Sequence, residues 1–157
     1  MEIPDFATSH AGNPRALVGA DDEGLVLDAV VDELGRRGVT VQRLPTGAWP
    51  EVARRVGEAV AAGEADLGVL ACWTGTGTSI MANKVPGVRA ALCWEPWIAE
   101  GARRWNDANV LVLSLQRTEP EVAREIVAAW LAVGEPDADE AANIAEIAAY
   151  ESRREPG

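Results

Sequence analysis

Strand-length apolar runs alternate with helix-period stretches along almost the whole of this 157-residue chain, and that alternation leaves few folds open. Residues 16–20 (ALVGA), 39–44, 67–71, 88–92 and 110–115 read as strands. Residues 25–37, 51–62, 96–105 and 121–133 carry apolar positions at helical spacing, with Gly38 and Gly63 closing the first two. Residues 45–50, bounded by two prolines, read as a turn. Gly134 and Pro136 break the chain before a last, Ala-rich helix over 139–153. Strands and helices in strict alternation are the mark of βαβ units and a parallel sheet. The expected fold is therefore α/β: a Rossmann-like three-layer sandwich with a parallel five-stranded sheet and a C-terminal helix. Residues 1–14 read as an irregular N-terminal extension and residues 15–157 as a single domain, which suits a chain of this length.

The formal charge of −11 argues against nucleic acid and anionic membranes as partners. No apolar stretch approaches the ~20 residues of a membrane helix. The N-terminus lacks a basic segment followed by an apolar run, so no secretion signal is expected. The two cysteines, Cys72 and Cys93, fall at separate strand ends, which fits free thiols in a reducing, cytoplasmic setting.

The chemistry concentrates in residues 68–89, GVLACWTGTGTSIMANKVPGVR. A buried strand ends at Cys72, a glycine-rich turn follows, and a helix begins. Ligands of open parallel sheets bind beyond the carboxyl ends of the strands. Gly75 and Gly77 let the backbone approach a ligand closely, and Thr74, Thr76, Thr78 and Ser79 add hydroxyls. A thiol in this place can act as a proton-transfer base or a nucleophile. It can equally be a small buried apolar group beside an ordinary turn.

Three segments in series resemble ribose-5-phosphate isomerase B and galactose-6-phosphate isomerase. They are Cys72-x-Thr74-Gly75-x-Gly77, the run from Ala82-Asn83-Lys84-Val85-Pro86-Gly87 to Cys93, and Asn106-Asp107-Ala108-Asn109-Val110-Leu111. The resemblance covers residues 15–133 and makes the domain sugar-isomerase-like. It implies aldose–ketose interconversion through an enediolate, with no metal and no cofactor, and a homodimer (or a tetramer) with composite sites. It implies Cys72 as the base and Thr74, with the amides of Gly75 to Ser79, as the groups that hold the enediolate oxygens, Gly75, Gly77 and Ser79 being placed among the substrate-binding residues. Asn106 would bind a substrate hydroxyl. The family's first-strand Asp-His pair falls on Asp21 and Asp22, which follow a proper strand. Ser9-His10-Ala11-Gly12 looks like that motif but has no strand before it, so His10 reads as a solvated tail residue.

The departures share one theme. Asp22, Trp94 and Trp105 stand where the family carries histidines; Gln116, next to Arg117, and the segment 139–143 stand where it carries arginines. Carboxylates in place of phosphate-binding cations turn attraction into repulsion. Trp94, with Trp73, Trp97 and Trp105, could stack on a substrate face, fill space or serve a subunit contact. The expected ligand is a small carbohydrate, unphosphorylated or modified. Three functions remain open from sequence: isomerase chemistry on such a sugar, a catalytically silent relative that binds a small molecule or modulates a partner, and another reaction using Cys72 with Asp21 or Glu95.

Overall fold

A computed structural model describes residues 12–154. Its five strands are β1 (Arg15–Ala20), β2 (Thr40–Arg43), β3 (Leu67–Cys72), β4 (Ala90–Leu92) and β5 (Val110–Ser114). They form one wholly parallel sheet in the order β2-β1-β3-β5-β4. The helices are α1 (Leu25–Arg36), α2 (Trp49–Ala61), α3 (Thr76–Ala82), α4 (Pro96–Asn106), α5 (Pro120–Leu131) and α6 (Ala141–Arg154), with a short 3-10 turn at Ala138–Glu140 before the last. No helix among the described residues is long and apolar enough to cross a membrane.

Side chains alternate between the two faces of each strand, and the sheet is apolar on both. Ala16, Val18 and Ala20 of β1, Val69 and Ala71 of β3, and Leu111 and Leu113 of β5 face one layer. That layer holds α1, α4 and α5, through Leu27, Val30 and Leu34, then Ala99 and Ala102, then Ile126, Val127 and Trp130. Leu17, Leu70, Val110 and Val112 face α2 and α3 on the other side, against Ala53, Val56 and Ala82. Gly68 brings α2 down onto the sheet. A Cβ there would stand 2.6 Å from a Val56 methyl.

Helix α2 starts two residues before the position expected from sequence, at Trp49 rather than residue 51. Pro50 sits in the first helical turn, where its missing N–H has no partner to lose. Read as a breaker, it hid Trp49 in a turn. The strand expected over 88–92 shortens to Ala90–Leu92.

The outer edge of β4 is closed by a side chain. Asn83 donates to the Ala90 carbonyl at 2.9 Å and accepts the Ala90 N–H at 2.8 Å, doing for one residue what another strand would do. Asn109 ties the same loop to the start of β5, accepting the Arg89 N–H at 2.7 Å and donating to the Gly87 carbonyl at 2.9 Å. Helix α6 buries none of its residues. It touches the body through Glu151, whose carboxylate accepts the Gly87 N–H. Between α6 and the β4 edge lies a cleft of about 980 Å³ lined by Lys84, Arg89, Asn106, Ile147 and Tyr150.

Candidate active site

From β1 the chain crosses outward to β2, then returns past β1 to β3. The crevice where the winding reverses lies between the carboxyl ends of β1 and β3, the usual ligand position in such sheets. Ala20 pairs with Ala71, so the next residues, Asp21 and Cys72, leave the sheet side by side. The Asp21 N–H donates to the Ala71 carbonyl at 3.4 Å. Cys72 is 4 % exposed and is the last residue of β3.

Asp21 is an expensive residue to keep here. One of its carboxylate oxygens is buried without a hydrogen-bond partner. Burial pushes its acidity weaker than that of an ordinary carboxyl, a backbone hydrogen bond opposes this, and the neighbouring Asp22 charge adds to the rise. Asp22 itself is exposed, with one oxygen accepting the Glu23 N–H at 2.8 Å.

After Cys72 the backbone must reverse within three residues. Gly75 does this at φ 81°, a left-handed conformation that L side chains rarely adopt. A Cβ at Gly75 would also stand 2.5 Å from a Leu92 methyl and 3.0 Å from the Leu113 carbonyl oxygen. The reversal folds α3 back beside β3 and places Thr78, fully buried, with Oγ1 3.3 Å from Cys72 Sγ. Thr74 and Thr76 remain exposed, their hydroxyls paired at 2.7 Å. Ser79 is half-buried, its N–H donating to Gly75 at 3.1 Å in the first helical bond. The first turn of α3 thus presents amides beside the thiol, as helix starts do.

Two contacts in this cluster were not expected from sequence. One is that of Thr78, named only as one of the turn's hydroxyls, with the sulfur of Cys72. The other is that of Trp49, whose indole covers Gly77: a Cβ on Gly77 would meet the ring at 3.1 Å. Gly77 is needed for that close approach. The available signal for Trp49 was the Trp-Pro pair at a helix start.

The rim is acidic. Arg43, at the end of β2, is taken up by Glu23 and by Asp28, the latter at 3.3 Å. Arg117, just beyond β5, is exposed and free of ion pairs among the described residues. Trp73 and Trp94 are 69 % and 65 % exposed at this end of the sheet. The Trp73 carbonyl is fixed by the Ser114 hydroxyl at 2.7 Å and the Gln116 N–H at 3.2 Å, so its indole leaves from a held backbone.

Asn106 is not in this cluster. Helix α4 starts at the carboxyl end of the sheet and runs back for 11 residues, about 16 Å. Asn106 ends it at the opposite edge, where the next residue, Asp107, binds Arg89 at 3.1 Å. Trp105 lies at the same end and folds back over Gly101, where a Cβ would stand 2.6 Å from the ring. That brings it edge-on to Trp97 at 5.6 Å between ring centroids. His10 lies outside the described residues, as do most of residues 1–14.

Residues 17–147 match the sequence profile of the family described as Ribose/Galactose Isomerase. The chain belongs to the ribose/galactose isomerase family. It is 40 % identical over 144 residues to ribose-5-phosphate isomerase B of Escherichia coli (strain K12), covering 87 % of this chain and 95 % of that one. To D-erythrulose-4-phosphate isomerase of Pectobacterium atrosepticum it is 37 % identical over 141 residues, covering 85 % and 93 %. Among solved structures, ribose-5-phosphate isomerase B of Clostridium thermocellum superposes with a TM-score of 0.84 at 33 % identity, over 90 % of this chain and 99 % of that one. The structure separates the motifs of this ribose/galactose isomerase family member by place: Asn83 and Asn109 tie the β4 edge and its loop together, while Cys72 and the Gly75 turn border the crevice.

Proposed function

We propose that this protein is an aldose–ketose isomerase in which Cys72 moves a proton between adjacent carbons. One observation carries the reading: the thiol stands at the β1–β3 crevice with a carboxylate beside it, one oxygen of which has no hydrogen-bond partner, and a helix-start turn after it. The base removes a proton from the carbon next to the carbonyl, and the carbonyl oxygen takes up the negative charge. Thr74 and the amides of the Gly75–Ser79 turn hold that oxygen; such preorganised donors are strongest where charge develops. Return of the proton to the neighbouring carbon completes the isomerisation. Asp21 holds substrate hydroxyls, and Trp94 and Trp49 offer faces for a sugar ring or chain to lie against.

The substrate is an unphosphorylated or otherwise modified sugar. Asp22, Asp21 and Glu23 crowd the rim, and Arg43 is already neutralised by two carboxylates. A phosphate dianion held by several charge-assisted bonds gains roughly 1.5–3 kcal/mol from each. Without them, ribose 5-phosphate should show no binding at millimolar concentration by calorimetry. Short or open-chain sugars should exchange the proton next to their carbonyl with deuterated water. Micromolar binding of ribose 5-phosphate would instead make Arg117 or a second subunit the source of the missing cations. Absence of exchange with every sugar would favour a catalytically silent relative that binds a small molecule, the reading supported by tryptophans at two of the three positions where the family carries histidines, 94 and 105.

The site is completed by a second copy. Asn106 and Trp105 lie at the far end of α4, too far along it to serve Cys72 of their own chain, and α6 buries none of its residues. The segment 94–106 therefore meets the partner's crevice. Sedimentation at micromolar concentration should give a dimer. A monomer there, or crystal contacts all burying under about 1,000 Å², would reject the composite site.

A further inference from the structure

We infer that Thr78 is a positioning residue for the Cys72 base, attending the sulfur in both of its protonation states. The inference rests on the reading of Cys72 as base, and deepens it. Thr78 is fully buried, and its Oγ1 stands 3.3 Å from Cys72 Sγ and 3.3 Å from the Gly75 carbonyl oxygen. A hydroxyl carries one donor proton and two acceptor lone pairs, and it rotates to suit its partners. Facing a thiolate, it donates to sulfur. When the C–H bond of the substrate breaks and the proton joins sulfur, the hydroxyl turns its own proton to the Gly75 carbonyl and accepts the new S–H. The C–H electron pair becomes the enediolate double bond as the carbonyl π pair moves onto oxygen. No proton is gained or lost by Thr78, and the rotation reverses when sulfur gives its proton to the neighbouring carbon.

The arrangement matters because Cys72 is buried, and a buried polar or charged atom left unpartnered in either state is costly. The hydroxyls of Thr74 and Thr76 do not take this part. They bond each other, on exposed residues. Cys93 provides the contrast within the same fold. Among the described residues its Sγ has the Ala91 carbonyl at 3.5 Å as its hydrogen-bond partner, an acceptor that suits the thiol alone, and burial pushes that thiol up to about 12.

The test compares Thr78→Val, which keeps the shape and removes the hydroxyl, with Thr78→Ser and Thr78→Ala. The ultraviolet thiolate absorbance of each is followed against pH, taken as the difference from the matching variant that also carries Cys72→Ser. This readout needs no turnover. In Thr78→Val and Thr78→Ala the absorbance should appear about one pH unit higher than in the unaltered protein, since the bond to the charged form is lost. Thr78→Ser should restore it. Substrate proton exchange should fall about tenfold or more in the valine variant and stay within about threefold in the serine variant. Superposable absorbance profiles for the unaltered, valine and alanine proteins would overturn the inference. A shifted profile in a protein that exchanges no substrate proton would uphold the Thr78–Cys72 coupling and overturn the role of Cys72 as base.

Discussion

Cys72→Ala should lower proton exchange by about 10²–10⁴-fold, the range for losing a positioned general base, while the protein remains folded. The fold should survive because the change deletes one sulfur at the end of β3. The ladder to β1 and β5 is made by backbone groups that alanine keeps. The cost is a small cavity, less than the 2–5 kcal/mol typical of removing a whole leucine. Thr78 would retain the Gly75 carbonyl as a partner, so no buried hydroxyl is stranded. Cys93→Ala is the matched control. That thiol lies beyond β4, and its raised value of about 12 keeps it protonated at neutral pH, so exchange should be unchanged. Circular dichroism and thermal melts check the fold, and NMR in deuterated water checks the chemistry. Full exchange by Cys72→Ala would remove the thiol from the mechanism.

Asp21→Asn should make the protein more stable and less active. The stabilisation follows from the buried, unpartnered oxygen and from burial raising the carboxyl's pKa above its usual value. A group whose pKa is higher in the folded than in the unfolded chain contributes most to stability at low pH, where both states are protonated. That contribution is lost as pH rises through the folded value. At neutral pH the native carboxylate is therefore a net cost, and the neutral amide of the same shape relieves it. For a chain of this size each kcal/mol recovered raises the melting temperature by about 2–4 °C. The difference between the two proteins should shrink on acidification and vanish below about pH 4, where Asp21 is protonated in both folded and unfolded chains. Activity should move the other way. A charged acceptor for substrate hydroxyls is worth about 1.5–3 kcal/mol per bond, or roughly 10–100-fold in kcat/KM. A variant with lower melting temperature at neutral pH would mean that the carboxylate has a structural partner. Unchanged kcat/KM would mean that substrate does not use it. Sites that bind tightly are often kept at the expense of stability, and Asp21 is the residue of this crevice that fits that pattern.

Much of this molecule was legible in its sequence because a parallel sheet buried on both faces leaves near-continuous apolar runs. ALVGA, LGVLAC and VLVLS are such runs, and each became a strand within a residue or two of the expected bounds. Cys72 at the end of one run and Asp21 at the end of another were placed for the same reason: strand ends are local features. The order of the sheet was not local. That β5 lies between β3 and β4 is decided by which strand is apolar enough to be wholly buried, and by Asn83 closing the short β4 at the edge. The contacts that shape the site come from residues distant in the chain or turned by backbone geometry. Trp49 reaches Gly77 across 28 positions, and a left-handed residue at Gly75 returns Thr78 to the sulfur six residues earlier. Asn106 shows the limit most plainly. Its motif made it recognisable, but the length of α4 decided that it ends at the far edge of the sheet from Cys72. Sequence determined the strands, the thiol and the carboxylate; tertiary structure decided the sheet order and what touches them, because contacts between separate elements are set by packing rather than by neighbours along the chain.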